Sequence, residues 1–235
     1  MAANFNGTSS RLIYTKSTSA TDLSIVTYAF WLKRDLGAAN RDIFWNGGAW
    51  STLYHSFVQY DNGLSKLCFV ADWTTAEARW SITNTADDTA WHHHVITYDF
   101  GATTNDPEWW IDDATKTITE VVTPTGTSSH AADDGTLTLG AYDDGSAEFW
   151  GGKIAEFSIF NRALTAGERT SLAGGASASS YLGDGLVFHA RLEDNDYADL
   201  VSGNAPTNTA VTNFAHPTIT DPSQSSPRYL IQGGI

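Results

Sequence analysis

The sequence predicts an all-β fold of two antiparallel sheets packed face to face, and three observations carry that prediction. Short runs of alternating side chains recur along the chain, turn residues separate them at close intervals, and aromatic and threonine residues are plentiful. The 235 residues are 41% apolar and include 9 Trp, 9 Tyr and 11 Phe. A chain of this length buries about 70% of its unfolded surface on folding, so the core needs neither a disulfide nor a metal to hold it.

The elements follow in order. Arg11 to Tyr14 comes after the turn at Asn6-Gly7, and Ser24 to Leu32 reads as a strand carrying Ile25, Tyr28, Phe30 and Leu32. Arg41 to Trp45 runs into Asn46-Gly47-Gly48. Leu53 to Tyr60 meets Asp61-Asn62-Gly63, and Leu64 to Val70 follows. An Asx-Gly turn between two such runs predicts a hairpin, because Asn and Gly accept positive φ at little cost. Glu77 to Ile82 is a strand, followed by a loop at Ala86 to Thr89. Trp91 to Tyr98 sets His93 and Val95 on one face and His92, His94, Ile96 and Tyr98 on the other. Trp109 to Ile111, Thr117 to Val122, Thr136 to Leu139 and Lys153 to Phe160 complete the main series.

One short helix interrupts the pattern. Thr165, with Glu168 three residues on, makes a capping box, and Gly174-Gly175 ends the helix. Leu164 and Arg169 form no clean hydrophobic staple. After a small, polar linker at 176–180, Gly185 to Leu192 reads as a strand. From Ala205 the chain is rich in Thr, Asn, Ser and Pro and is expected to be an extended tail.

Charge narrows the function classes. Lys and Arg number 13 against 27 Asp and Glu, a formal net charge of -14. Such a surface repels phosphate backbones and anionic lipid, so no nucleic acid and no membrane insertion are expected. Cys68 is the only cysteine and lies in the apolar run Leu67 to Val70, which excludes an internal disulfide and reads as a small buried hydrophobe. Met1 to Gly7 shows no basic segment leading into an apolar run, so no classical signal peptide is read.

Several segments are familiar together. Asn4-Phe5-Asn6-Gly7-Thr8-Ser9-Ser10, Thr27-Tyr28-Ala29-Phe30-Trp31-Leu32-Lys33, Trp91 to Asp99, Leu137-Thr138-Leu139-Gly140 and Phe149 to Thr165 occur in an order that resembles the laminin G-like, concanavalin A-like lectin/glucanase superfamily, in its LamG/pentraxin-like branch. The resemblance covers about three quarters of the chain and implies a jelly-roll sandwich. One stretch departs from the usual layout. Gly185 to Asp194, followed by Asp199 to Asn204, resembles a segment that the family places before the Asn6-Gly7 element. Two explanations stand: a truncated tandem repeat, or a circularly permuted sandwich whose last strand fills the slot beside the first. The second predicts a domain over 1–204 closed by strand 186–192, with 205–235 as tail.

Catalytic groups are not evident. A glycoside hydrolase sets two carboxyl groups across a cleft, and the related glucanases carry theirs on one alternating strand. The nearest run here, Glu108 to Asp113, has Trp110 where a carboxylate would stand. No nucleophile elbow, zinc-protease helix or phosphate loop is present. Of the histidine run only His92 and His94 share a face, so packing and strand-end roles are expected for it. If a loop binds Ca²⁺, the expected ligands are Asp143 and Asp144; the other reading is that loop aspartates initiate Asx-turns. Among aromatics, Trp50, Trp73 and Tyr142 have small or polar neighbours and are the expected rim residues for a ligand or partner. Tyr229, Leu230 and Ile231 form an apolar patch in a bare tail, either packed back on the sandwich or docking on a neighbouring subunit.

The resulting expectation is a non-enzymatic structural or adhesive module with no required cofactor. The missing signal peptide and disulfides, with the family's use in virions, suggest a phage decoration or fibre-associated protein whose partners are other virion or surface proteins, or further copies of itself. The alternative is a lectin-like carbohydrate-binding domain, Ca²⁺-assisted or not, at a cell surface or outside the cell. A glycoside hydrolase is the third reading.

Overall fold

A computed structural model describes residues 2–35, 41–47, 55–83, 89–128, 130, 133–143 and 145–219. Their strands are β1 (Ala2–Asn6), β2 (Arg11–Thr15), β3 (Ile25–Arg34), β4 (Arg41–Gly47), β5 (His55–Asp61), β6 (Lys66–Ala71), β7 (Ala78–Thr83) and β8 (His92–Asp99). There follow β9 (Glu108–Ile111), β10 (Ala114–Thr115), β11 (Ile118–Val122), β12 (Thr136–Leu139), β13 (Gly151–Phe160), β14 (Leu186–Ala190), β15 (Thr207–Thr209) and β16 (Thr212–Phe214). The single α-helix among the described residues, α1, spans Ala166–Ala173.

The strands form two antiparallel sheets. The first runs β10-β9-β8-β3-β13-β1-β16, with β14 also on β13. The second runs β11-β7-β6-β5-β4-β12-β2-β15. A two-sheet sandwich is thus what the alternating pattern builds. Between the sheets, Tyr28, Phe30 and Phe157 of the first meet Phe44 and Phe69 of the second, with ring centroids 4.6 Å apart for Tyr28–Phe44 and 5.0 Å for Phe44–Phe157. The buried Tyr28 hydroxyl lies 2.6 Å from Ser56 Oγ and accepts from Asn46 Nδ2 at 2.6 Å, so the core's polar atom is satisfied.

β13 organises the first sheet. One edge pairs with β3 along most of its length. The other edge is shared, end to end, by β1 at Gly151 to Ile154 and β14 at Phe157 to Phe160. At the hand-over Glu156 takes φ 50, its N–H donates to Arg191 O at 3.1 Å, and the register with β3 shifts. The Glu156 carboxylate accepts from Ser177 Oγ at 2.8 Å and lies 3.0 Å from His189 Nε2. Burial alone would raise its pKa, but the interactions with His189, Ser177 and His216 together outweigh burial and hold it below the ordinary value.

The resembling motifs have local causes. Asn6 Oδ1 accepts from the N–H groups of Thr8, Ser9 and Ser10 at 2.9, 2.9 and 3.1 Å, while Gly7 sits at φ 73. Asp199, 1% exposed, accepts from the N–H groups of His189, Val201 and Ser202 at 2.9, 3.1 and 3.1 Å. Gly140 sits at φ +83 over the Phe5 ring, where a Cβ would come within 2.1 Å of a ring carbon. Between 206 and 219, β15 pairs with β2 and β16 with β1.

α1 begins with the predicted capping box. Glu168 N–H donates to Thr165 Oγ1 at 3.3 Å, and Thr165 N–H donates to Glu168 Oε2 at 2.7 Å. Arg162 donates to both Glu168 oxygens at 3.0 and 2.7 Å. Leu164, Leu172 and Ala178 lie over Ala29, Val95, Trp110 and Phe160 on the outer face of the first sheet. That patch of the face is therefore covered.

These contacts have measurable consequences for stability. Gly140→Ala, which both strains φ and collides with Phe5, should cost on the order of 2 kcal/mol and lower the melting temperature by about 4–8 °C; an unchanged melting curve would contradict the close approach of Phe5 to Gly140. The hydrogen bonds of Arg162 depress Glu168 from its ordinary value of 4.5 to about 2. A depressed carboxylate stabilises the fold above its unfolded pKa and ceases to do so as pH falls through the folded one. The stability difference between wild type and Glu168→Gln, measured by urea denaturation, should therefore be greatest near neutrality. It should shrink between pH 4.5 and about 2.

Candidate functional site

The outer face of the second sheet is built by alternation. In β5, Val58 and Tyr60 face the core, so His55, Phe57, Gln59 and Asp61 face out. In β6, Leu67, Phe69 and Ala71 face in and Cys68 and Val70 face out; in β7, Trp80 and Ile82 face in and Arg79 and Ser81 face out. β4 breaks the alternation. Asp42 pairs with Gln59 and Phe44 with Val58, leaving Ile43 as a bulge that also enters the core. The bulge turns Asp42 outward beside Gln59. Strict alternation would have placed Asp42 inside with Phe44, which is why the sequence pattern missed it.

On this face lies a cavity of about 340 Å³ lined by Asp42, Phe57, Gln59, Arg79, Tyr142, Ala147 and Glu148. Phe57 belongs to an aromatic ridge, stacked on Trp45 at 4.4 Å, with His55 on Trp45 at 4.2 Å and Tyr142 against Trp45 at 4.7 Å. The turn between β12 and β13 supplies the far wall. It is closed by Tyr142 N–H to Ala147 O at 3.1 Å and Gly145 N–H to Tyr142 O at 2.7 Å. Asp42 N–H donates to Glu148 O at 2.9 Å, which ties that turn to β4.

The electrostatics are unusual. The Asp42 side chain is buried, with the residue 1% exposed, and neither carboxyl oxygen has a hydrogen-bond partner among the described residues. Burial, followed by the charge of Glu148, raises its pKa well above the carboxylate range; Arg79 only partly opposes them. Arg79 donates to Asp61 Oδ2 at 3.2 Å and to Glu77 Oε1 at 3.4 Å, while its buried Nε has no partner among the described residues. Unpaired buried polar atoms cost about 1–3 kcal/mol each, and a ligand with hydroxyl groups would satisfy them. Asp42 and Glu148 stand side by side on adjacent backbones, joined by a bridge between Asp42 and Phe149.

The residues singled out in the sequence divide. Tyr142 is half-buried and lines the cavity. Asp143, at φ 38, is in the same turn, and its carbonyl accepts from Thr138 Oγ1. Trp73 points inward, contrary to its expected rim position: it is 3% exposed in the main core and donates through Nε1 to Tyr98 OH at 3.1 Å. Its small and polar neighbours suggested exposure, but the core needed the indole. Trp50, Asp144, Tyr229, Leu230 and Ile231 lie outside the described residues. His94 stacks on Phe30 at 5.3 Å, and its Nδ1 accepts from Trp109 Nε1 at 3.3 Å. Burial lowers the pKa of His93 to about 4 and that of His94 well below the usual value. Both rings are thus neutral packing elements near pH 7. His92 Nδ1 sits 2.6 Å from Oδ2 of Asp112, which lies in the two-residue turn between β9 and β10.

Comparison with known proteins bears on the fold. The family model of the concanavalin A-like lectin/glucanases superfamily matches residues 6–168. No curated protein matches the sequence. Among solved structures, one described as a putative carbohydrate binding protein from Bacteroides ovatus is similar at a TM-score of 0.64 and 15% identity, covering 90% of this chain. The chain spans only 58% of that protein. The heptameric SAP-like pentraxin of Limulus polyphemus matches at 0.54 and 14%, over 73% of this chain and 81% of its own. Domains LG4-5 of the mouse laminin α1 chain match at 0.53 and 16%, over 71% of this chain and 43% of theirs. None of the three is described as an enzyme. With more than half of its residues matched by one family model in one unbroken span, and with the two-sheet sandwich in place, the chain belongs to the concanavalin A-like lectin/glucanase superfamily.

Proposed function

We infer that the protein is a non-catalytic binding domain that takes a carbohydrate in the cavity between β4, β5, β7 and the β12–β13 turn. The observation that carries this reading is Asp42, a buried carboxyl with both oxygens unpartnered among the described residues, which lines a cavity beside Gln59, Arg79 and the rings of Phe57 and Tyr142. A sugar offers both complements, hydroxyl groups for the polar atoms and an apolar ring face for the aromatics. The carbohydrate-binding description of the Bacteroides ovatus structure supports the same reading. The relatives named above give the phage-virion role no comparable support. Asp143, in the cavity's own turn, is the residue through which Ca²⁺ would assist binding, by adding a carboxylate oxygen at the rim. We also read 185–204 as the family's opening segment carried at the end of a permuted sandwich. The end-to-end placing of β14 and β1 on one edge of β13 supports this.

A glycan array probed with and without chelator, followed by titration of the best glycan, tests the proposal. Tyr142→Ala and Arg79→Met should each weaken binding about tenfold, or about 1.4 kcal/mol, with melting temperatures near wild type. The glycan should be recovered uncleaved. The Asp42 carboxyl has a raised pKa and two oxygens without partners among the described residues, so Asp42→Asn, which keeps its shape and an acceptor oxygen, should bind within about threefold of wild type while Asp42→Ala loses about tenfold or more. Failure to bind any glycan, or equal binding by all variants, would remove the reading.

A further inference from the structure

Three adjacent strands place a second set of side chains in one row, away from the cavity. Ser56 pairs with Ala71 and Ala71 with Ala78. One step further along the same ladders, His55 lies opposite Asp72 and Asp72 opposite Glu77. The Asp72 N–H donating to His55 O at 3.0 Å marks the continued register. Directly opposed residues on neighbouring antiparallel strands share a face and bring their Cβ atoms to about 5 Å. The three side chains therefore converge by backbone geometry alone.

Their donor atoms are close. One ligand atom each from His55, Asp72 and Glu77 lies within 4.8 Å of the others. His55 Nδ1 and Asp72 Oδ2 are 2.7 Å apart, with side chains 1% and 3% exposed. A four-coordinate ion with bonds near 2.1 Å needs its ligand atoms about 3.3 Å apart, so the His55–Asp72 pair must open by about 0.6 Å and the half-buried Glu77 must adjust as well. All three residues line a cavity of about 320 Å³ completed by Trp73, Thr74, Thr75 and Ala76, which leaves room for a solvent or ligand oxygen in the open position. Trp45 stacks on the His55 ring at 4.2 Å and 27°, fixing its orientation as an outer-shell group does.

We propose that His55, Asp72 and Glu77 form a binding site for a divalent transition-metal ion of the Zn²⁺ type. The imidazole decides the class: one nitrogen and two carboxylate oxygens suit Zn²⁺ or its neighbours, whereas Ca²⁺ takes six to eight oxygens. The site does not depend on the carbohydrate reading. It shares no cavity residue with it, and Asp143 takes no part in it.

The test uses the full chain after chelator treatment. Zn²⁺ is titrated by calorimetry, and Co²⁺ by visible absorption, which reports the coordination number directly. One equivalent should bind, with a rise in melting temperature and a cobalt spectrum of low coordination number. His55→Gln and Glu77→Gln should each weaken Zn²⁺ binding at least about tenfold, while Asp143→Asn leaves it unchanged. Glu77 is partly exposed, so its variant keeps the test valid should the His55 variant fold poorly. Lack of Zn²⁺ and Co²⁺ uptake at millimolar concentration would overturn the proposal, as would undiminished affinity in Glu77→Gln. Glycan binding measured in the presence of chelator keeps the two readings apart, since either can fail without the other.

Discussion

The shared edge of β13 is the constraint on which the first sheet depends. A ten-residue strand spans the sheet with β3 on one side, yet neither β1 nor β14 is long enough to cover the other side. The two lie end to end, and the backbone between them must change course. Glu156 makes that change at positive φ, and its carboxylate binds Ser177 and His189, residues of the segment that returns to supply β14. A buried carboxylate survives only when its partners compensate for lost water. One residue thus couples a bulge in the sheet, the docking of the 176–182 segment and the placing of the last long strand.

Packing over the first sheet bears on the proposed site. Its outer face is covered by α1 and by Ala178 and Leu186. Among the described residues no helix lies over the second sheet, and its outer residues include Trp45, Phe57 and Val70 beside the polar Gln59, Arg79 and Ser81. Two consequences follow from one physical rule. In the middle of the face, a bulge in β4 turns a carboxyl out of the core into a cavity, where it is desolvated but unpaired among the described residues. At the end of the face, plain register sets an imidazole and two carboxylates in a row. The ridge of His55, Trp45 and Phe57 runs from one to the other.

Much of the fold was legible because it rests on local chemistry. The capping box at Thr165 and Glu168 is a matter of four residues and was readable as such. The expected hairpin does join β5 and β6, but its turn spans Asn62 to Ser65, is closed by Leu64 N–H donating to Asp61 Oδ1 at 3.0 Å, and takes its positive φ at Ser65 rather than at Asn62 or Gly63. The site was less legible. Asp42 was hidden by a bulge that alternation cannot foresee, and Trp73 looked exposed because its sequence neighbours say nothing about the partner sheet. His55, Asp72 and Glu77 are separated by 17 and 5 positions and share no motif. Only knowing which strands are neighbours, and in what register, brings them together. Tyr142 was expected in a turn after a strand, which is local information, and it lies in one.

The sequence by itself determined the all-β class, most strand positions, the helix cap and the net acidic charge. Each of these depends on residues close in the chain or on composition. Tertiary structure alone decided which face stays open, which carboxyl is buried without a partner among the described residues, and which histidine stands beside acids rather than in the core. Those outcomes depend on bulges and cross-strand register, which arise when distant segments pair. A bulge of one residue reverses the face of every side chain beyond it, and periodicity carries no mark of where it will occur.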